Sequence, residues 1–159
     1  KKGFSLLETT VAVAILVMAV LGPLTLASSS IKSSSLAKNN LIAAGLAQEG
    51  IELFRNHRAS NVLKNQSWTA GLGGCFLPNS CTIDAADLAV DSCGASCAPI
   101  NLDAASGLYG YAAGSPTIFT RKITAENTGA NEIKIKSSVA WSETFGGQKF
   151  ELEEFMLNW

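Results

Sequence analysis

Imidazole is nearly absent from this chain. His57 is its one histidine, and no serine or cysteine stands near it at a spacing that would pair a nucleophile with a base. No catalytic grouping and no cofactor are therefore expected. Charge of either sign is also scarce: the net formal charge is -1 and the pI near 5.8, which leaves no electrostatic footprint for nucleic acid. The scarcity is uneven. Between Lys2 and Lys32 the one charged side chain is Glu8, and residues 11–27 carry no charge at all. Cysteine occurs four times, as C-x5-C, C-x11-C and C-x3-C, spacings that match no usual zinc pattern.

What fills the charge-free stretch is Val, Ile, Leu, Met and Ala. As a helix, residues 3–31 rise about 40 Å, enough to cross a hydrocarbon core of about 30 Å. Lys1 and Lys2 precede the run without an acidic neighbour, so the positive-inside rule puts the N-terminus in the cytoplasm and the remainder outside. The competing reading is a cleaved secretory signal ending near Ala27-Ser28-Ser29-Ser30, but its apolar region would be shorter. An even number of cysteines, all in the part placed outside, fits an oxidising compartment. Four cysteines allow three connectivities. The local one, Cys75–Cys81 with Cys93–Cys97, is expected because each bridge closes a short loop bounded by Gly or Pro.

Beyond the serine clusters at 28–30 and 33–35, Leu36, Ile42, Leu46, Ile51, Leu53 and Phe54 recur as on one face of an amphipathic helix. No strong stop signal separates the two pieces, which predicts one helix over residues 4–58, about 80 Å long. Residues 4–31 form its membrane-spanning half and residues 32–58 its amphipathic half. Gly22-Pro23 interrupts it, and a kink or a locally melted segment is expected there, because proline lacks the donor and crowds the preceding turn.

Residues 59–116 turn to Gly, Ser, Asn, Ala and Cys and read as a long loop clipped by its disulfides. Residues 117–159 read as strands. Phe119 and Ile123 share one face, Ile133, Ile135, Val139 and Trp141 another, and Phe150 and Leu152 alternate with Glu151 and Glu153. Phe155, Leu157 and Trp159 then fall on the opposite parity, which predicts a bulge near Glu153-Glu154 or a strand end buried on both sides. Residues 144–148 suit a hairpin loop. The fold class expected is α+β: a long N-terminal helix whose second half packs on an antiparallel sheet of three to four strands.

GFSLLE followed by an apolar helix resembles the N-terminal signal of type IV prepilins and pseudopilins. The order of long helix, cysteine-bearing connection and terminal strands is the layout of that family, and AQEGIELFRNHR with the final LNW is similar to its PilV-like and type II secretion I-like members. The resemblance implies that residues 1–3 end a leader, which is expected to extend upstream of Lys1. A membrane peptidase would cut between Gly3 and Phe4 and the new Phe4 amine would be methylated. Glu8 matches the family's glutamate, and the resemblance implies that its carboxylate is compensated by an N-terminal amine, its own or a neighbour's, as a subunit leaves the bilayer. The expected partners are identical or related subunits in a helical filament, the prepilin peptidase, the membrane before assembly, and a host or neighbouring cell surface afterwards. The expected location moves accordingly from the cytoplasmic membrane to an extracellular filament used for adhesion, motility, DNA uptake or secretion. The alternative is a membrane-anchored surface binding protein that never polymerises.

Three further patterns carry less. Asp84, Asp87, Asp91 and Asp103 are oxygen donors suited to calcium, but turn-forming Asp is commoner and their spacing matches no dedicated loop. Arg55, Arg58 and Lys64 near Trp68 have the chemistry to touch DNA, but a solvated helix end is the commoner account of such residues. Asn65-Gln66-Ser67 has the pattern of a glycosylation acceptor.

Overall fold

The computed structural model describes residues 5–143 and 146–158. One helix, α1, runs over Leu6–Leu63, and a short 3-10 turn follows at Gly73–Cys75. Then come β1 (Cys81–Ile83), β2 (Val90–Ser92), β3 (Asn101–Leu102), β4 (Tyr109–Gly110), β5 (Ser115–Pro116), β6 (Phe119–Gly129), β7 (Glu132–Glu143) and β8 (Gly146–Leu157). The chain divides between Asn39 and Asn40 into two units.

In the second unit, the buried residues of α1 from Ala43 to Phe54 pack on a five-stranded antiparallel sheet of order β2-β1-β6-β7-β8. A smaller three-stranded sheet, β4-β3-β5, lies in the connecting region. The α+β class is the one the hydrophobic pattern implies, but the sheet has two strands more than the terminal segments supply. They come from the stretch expected to be loop. In β1 all three residues, Cys81, Thr82 and Ile83, are buried, so three residues suffice to hold it beside β6.

The helix also ends later than residue 58. It continues to Leu63 because nothing in Ala59–Leu63 stops it, and Asn65 then takes the left-handed conformation (φ 54°) that commonly terminates helices. The Gln66 amide donates back to the Asn61 carbonyl at 2.9 Å, satisfying one of the last carbonyls.

Along β8 no bulge occurs at Glu153-Glu154. Its register against β7 is unbroken from Glu132↔Leu157 to Glu143↔Gly146. Phe150, Leu152, Glu154 and Met156 face the helix, while Phe155 and Leu157 stand exposed on the outer face. The inward glutamate is tolerated because Glu154 pairs with Arg55 of α1. An ion pair, not a change of phase, is what the sequence pattern was recording. On the outer face Glu153 accepts from Lys134 at 2.8 Å and Lys136 at 2.7 Å, hydrogen bonds that hold its carboxyl down at about 2. Gly146 to Gln148 belong to β8 rather than to the connection, and residues 144 and 145 lie outside the described residues, as does Trp159.

The core forms two clusters along the sheet. One gathers Ile51, Phe54, Ile83, Ile123, Ile135 and Met156; the other gathers Ala43, Leu46, Ala47, Phe119, Val139 and Trp141. Between them lie two inward polar positions, Arg121 on β6 and Ser137 on β7, and opposite them α1 has Gly50. A methyl group on Gly50 would collide with the Ser137 hydroxyl and come within 3.1 Å of the Arg121 Cδ. The glycine therefore sets how closely the helix approaches the sheet. Gly50→Ala is expected to lower stability by about 1–3 kcal/mol through overpacking. Ser137→Ala should be neutral or stabilising, since its buried hydroxyl has no protein partner, and it should restore part of the loss in the double variant. Chemical denaturation of the four proteins checks this, and additive losses would show that Gly50 and Ser137 do not meet.

Candidate functional site

The N-terminal unit presents a helix with no cover. The Ser5 carbonyl accepts from the amides of Glu8 (3.0 Å) and Thr9 (3.2 Å), starting α1. Every described residue up to Lys38 is exposed, and the helix is long and apolar enough to cross a membrane by length and composition. Its polar side chains do little to disturb that. Thr9, Thr10 and Thr25 donate their hydroxyls to the carbonyls of Leu6, Leu7 and Gly22, three residues back, at 2.8–2.9 Å. No threonine donor is left for a solvent that cannot accept it.

Glu8 occupies the first turn of α1 and is exposed. A carboxylate at a helix N-terminus gains roughly 0.3–1 kcal/mol from the helix dipole in water. In hydrocarbon an unpaired one costs several kcal/mol, so the dipole alone does not compensate it there. Gly3 and Phe4, the expected processing site, lie outside the described residues. Gly22 and Pro23 lie within unbroken α-helix, so no melted segment occurs there. Proline removes a single donor, the one that would serve the Ala19 carbonyl, and the neighbouring turns keep theirs.

In the second unit the bridges are Cys75–Cys81 and Cys93–Cys97. The first joins the 3-10 turn to β1, both sulfurs being buried in the core. The second closes a loop whose carbonyl at Gly94 accepts from the buried Ser80 hydroxyl. The aspartates serve turns. Asp84, Asp87 and Asp103 each accept from the amide two residues on, at 2.8, 2.9 and 3.0 Å. The cations at the end of α1 are likewise engaged within the chain. Arg55 pairs with Glu52 and Glu154, while Arg58 lies over the Trp68 ring and donates to the Leu157 carbonyl. His57 rests against Gly71 and meets Asn61, whose amide ties down the carbonyl of Ala70. Burial pushes the His57 imidazole pKa down, and Lys64 adds to the effect.

The most connected polar group is Arg121, buried to 1% exposure in the middle of the sheet. Its Nη1 donates to the Leu46 carbonyl (3.2 Å) and Glu49 Oε2 (2.7 Å) on α1, and its Nη2 to the Ile83 carbonyl (2.9 Å) at the end of β1. The guanidinium also lies 5.8 Å from the centre of the Tyr111 ring. The next residue after β1, Asp84, accepts from the amides of Tyr111 (2.9 Å) and Ala112 (3.1 Å). Helix, sheet and connecting loops thus converge on one cation and one carboxylate. Sequence reading placed Phe119 and Ile123 on the inward face without remarking that Arg121, between them, has the same parity. That parity was the available signal.

This network holds one wall of a groove of about 590 Å³. Its floor is the α1 stretch from Leu41 to Glu49, and its other walls are residues 84–86 and 103–113. The lining is largely apolar or small, with three carboxylates, Glu49, Asp84 and Asp103, and no basic side chain. Among the described residues no cluster of His, Cys, Asp or Glu is arranged to hold a metal ion. Comparison with family models, with curated proteins and with solved structures finds no match.

Two outcomes follow from the Arg121 network. Arg121→Met should destabilise the full chain in detergent by about 3 kcal/mol, the low end for breaking a buried pair because Glu49 keeps some contact with water. Denaturant titration reads it; a loss below about 1 kcal/mol would mean the guanidinium does not hold the layers together. Asp84 supplies the pH dependence. Burial pushes its pKa up, but the amides of Ala86, Tyr111 and Ala112, together with Arg121, outweigh burial and hold it below the ordinary value. A depressed carboxyl stabilises the fold above its unfolded pKa of about 4 and loses that contribution as pH falls through the folded value. Melting of Asp84→Asn should therefore vary less than wild type as the pH is lowered below about 4, measured in high salt to screen the exposed carboxylates. Parallel curves would remove Asp84 from the network.

Proposed function

We propose that this chain is a structural subunit of a type IV pilus-like surface filament, polymerising through its N-terminal helix. The observation that carries the reading is one arrangement. The membrane-length apolar part of α1 carries one carboxylate, Glu8 in its first turn, four residues after Phe4 of the Gly3-Phe4 sequence. Proteolysis of that bond supplies an α-amino group four residues before Glu8, one helical turn away on the same face. The pair satisfies the carboxylate without water, within a subunit or across two of them. An ion pair of this kind is weak as a source of stability and useful as a register device.

The fold supports the reading in a second way. The chain's large exposed apolar surface sits on one helix, and the core of the second unit does not use it. Such a surface needs lipid or other helices as cover, and an assembly of like helices meets the need once the subunit leaves the bilayer. The subunit would then reside in the cytoplasmic membrane before assembly and in an extracellular filament after it, where the disulfides persist. The alternative, a membrane-anchored binding protein that stays monomeric, uses the same helix only as an anchor and gives Glu8 no role.

Mass spectrometry of the N-terminal peptide from sheared surface filaments separates the two. A peptide beginning at methylated Phe4 is expected; an intact Lys1-Lys2-Gly3 start would overturn the processing claim. Glu8→Ala should abolish filaments while leaving the amount of membrane-inserted subunit unchanged. Undiminished filaments in that variant would overturn the role given to the carboxylate.

A further inference from the structure

Nothing in the Arg121 network requires the groove beside it to stay open, yet it does. At about 590 Å³ it falls within the range of about 300–1,000 Å³ of sites that enclose an apolar ligand. Leu41 and Leu108 stand at its rim 76% and 69% exposed, and a Cβ on Gly45 would meet nothing within 4 Å. Its charge is one-sided. Glu49, Asp84 and Asp103 line it with no basic side chain among them, while Arg121 behind the wall pairs with Glu49 and also acts on Asp84. An occupant that buries apolar side chains there must bring positive charge.

The chain has a segment of that chemistry. Among residues 9–48 the charged side chains are Lys32 and Lys38, both basic. Lys32 and Leu36 lie one helical turn apart on one face of α1, with Ile31 beside them. Ile31 is 71% exposed in a stretch that is otherwise rich in serine and lies past the charge-free run. We propose that the groove receives the Ile31, Lys32 and Leu36 ridge of a second copy of this chain. Lys32 would meet the acidic rim, while Ile31 and Leu36 would cover Leu41, Gly45 and Leu108.

Ridge and groove are different surfaces, on opposite sides of the division at Asn39. The contact is therefore heterologous, and repetition of it does not close on itself unless the rotation happens to form a ring. This deepens the polymerising reading and rests on it: the apolar helix would supply the adhesion between subunits, and the groove would fix which copy sits where. Charge complementarity contributes mainly to that choice of register.

Positional cross-linking in the full chain tests it. Two differently tagged copies are co-expressed, one carrying Lys32→Cys and the other Ala112→Cys, and sheared filaments are oxidised mildly. A disulfide-linked product bearing both tags is expected. Filaments that form without it overturn the groove assignment and leave the polymerising reading standing, whereas a wild-type chain that gives no filaments overturns both.

A second variant guards against misfolding. Gly45→Phe fills the groove from a helical position with open space around it, so the thermal midpoint should hold while filament yield falls at least about tenfold. An unchanged yield would mean that the groove faces outward, toward a partner other than this chain, and would overturn the proposal. Asp103→Lys should likewise reduce assembly, and co-expression with Lys32→Glu should recover it; failure of recovery, with both variants folded, counts against the pairing.

Discussion

A guanidinium with 1% of its surface exposed is the constraint around which the second unit is arranged. Arginine remains protonated at any accessible pH, so the fold must supply acceptors wherever it buries one. Both Nη atoms of Arg121 find them, on two elements at once: a helix carbonyl and carboxylate at Leu46 and Glu49, and the carbonyl that ends β1 at Ile83, while its buried Nε has no protein partner. Those demands fix the rotation and height of α1 over the sheet. They also explain the division of the core into two clusters, because an inward polar position on β6 and another on β7 interrupt the apolar surface across the middle, leaving Leu152 of β8 to touch both. Gly50 answers the same constraint from the helix side, where a larger residue would press on Ser137 and on the arginine itself.

The N-terminal unit is governed by the opposite rule. It has no core, and from Ser5 to Lys38 each residue is exposed. What keeps it suited to an apolar surrounding is the removal of unsatisfied donors, with three threonine hydroxyls returned to carbonyls of their own helix. One unbroken helix, Leu6–Leu63, thus joins an exposed apolar stretch, compatible with a membrane anchor by length and composition, to a stretch packed on a sheet. Residues 11–27 of its first part carry no charge on any side, the composition of a membrane segment. Its second part carries Ala43, Leu46, Ala47, Gly50, Ile51 and Phe54 at the spacing of a single buried face.

Those two patterns were readable because periodicity and charge depletion are local properties. The long strands were readable for the same reason. β6 and β7 show the alternation of Phe119, Ile123, Ile135, Val139 and Trp141 in their burial as in their sequence. What escaped was of two kinds. β1 is three residues long, and its strand character comes from β6 beside it and from the bridge at Cys81, neither of which leaves a mark in CTI alone. Arg121 and Glu154 both stand at inward parity: the first passes unremarked between Phe119 and Ile123, and the second reads as the site of a bulge. Each turned out to be one half of an ion pair whose other half lies far away in sequence, Glu49 in one case and Arg55 in the other. A polar residue at an inward parity position therefore asks for a partner before it argues for a bulge. The groove was invisible for a related reason: its walls come from α1 and from two loops separated by many residues.

The same question bears on Glu8. Every other carboxylate turned toward apolar surroundings in this chain has its charge answered at short range. Glu49 meets Arg121, Glu154 meets Arg55, and Asp84 accepts three backbone amides. Glu8 shares the apolar setting, since Leu6, Leu7, Val11 and Val13 around it are all exposed to whatever solvent the helix occupies. Among the described residues it has no cation beside it, and the nearest described one in sequence is Lys32, more than 30 Å along the helix at about 1.5 Å per residue. Its compensation has to come from the chain's own first residues or from another molecule. In water that demand is slight. In a bilayer or a bundle of helices it amounts to several kcal/mol, enough to select the one arrangement of neighbours that meets it. Under the filament reading proposed above, a carboxylate that needs a cation in an apolar surrounding would give apolar adhesion, which has no preferred register, a reason to adopt one.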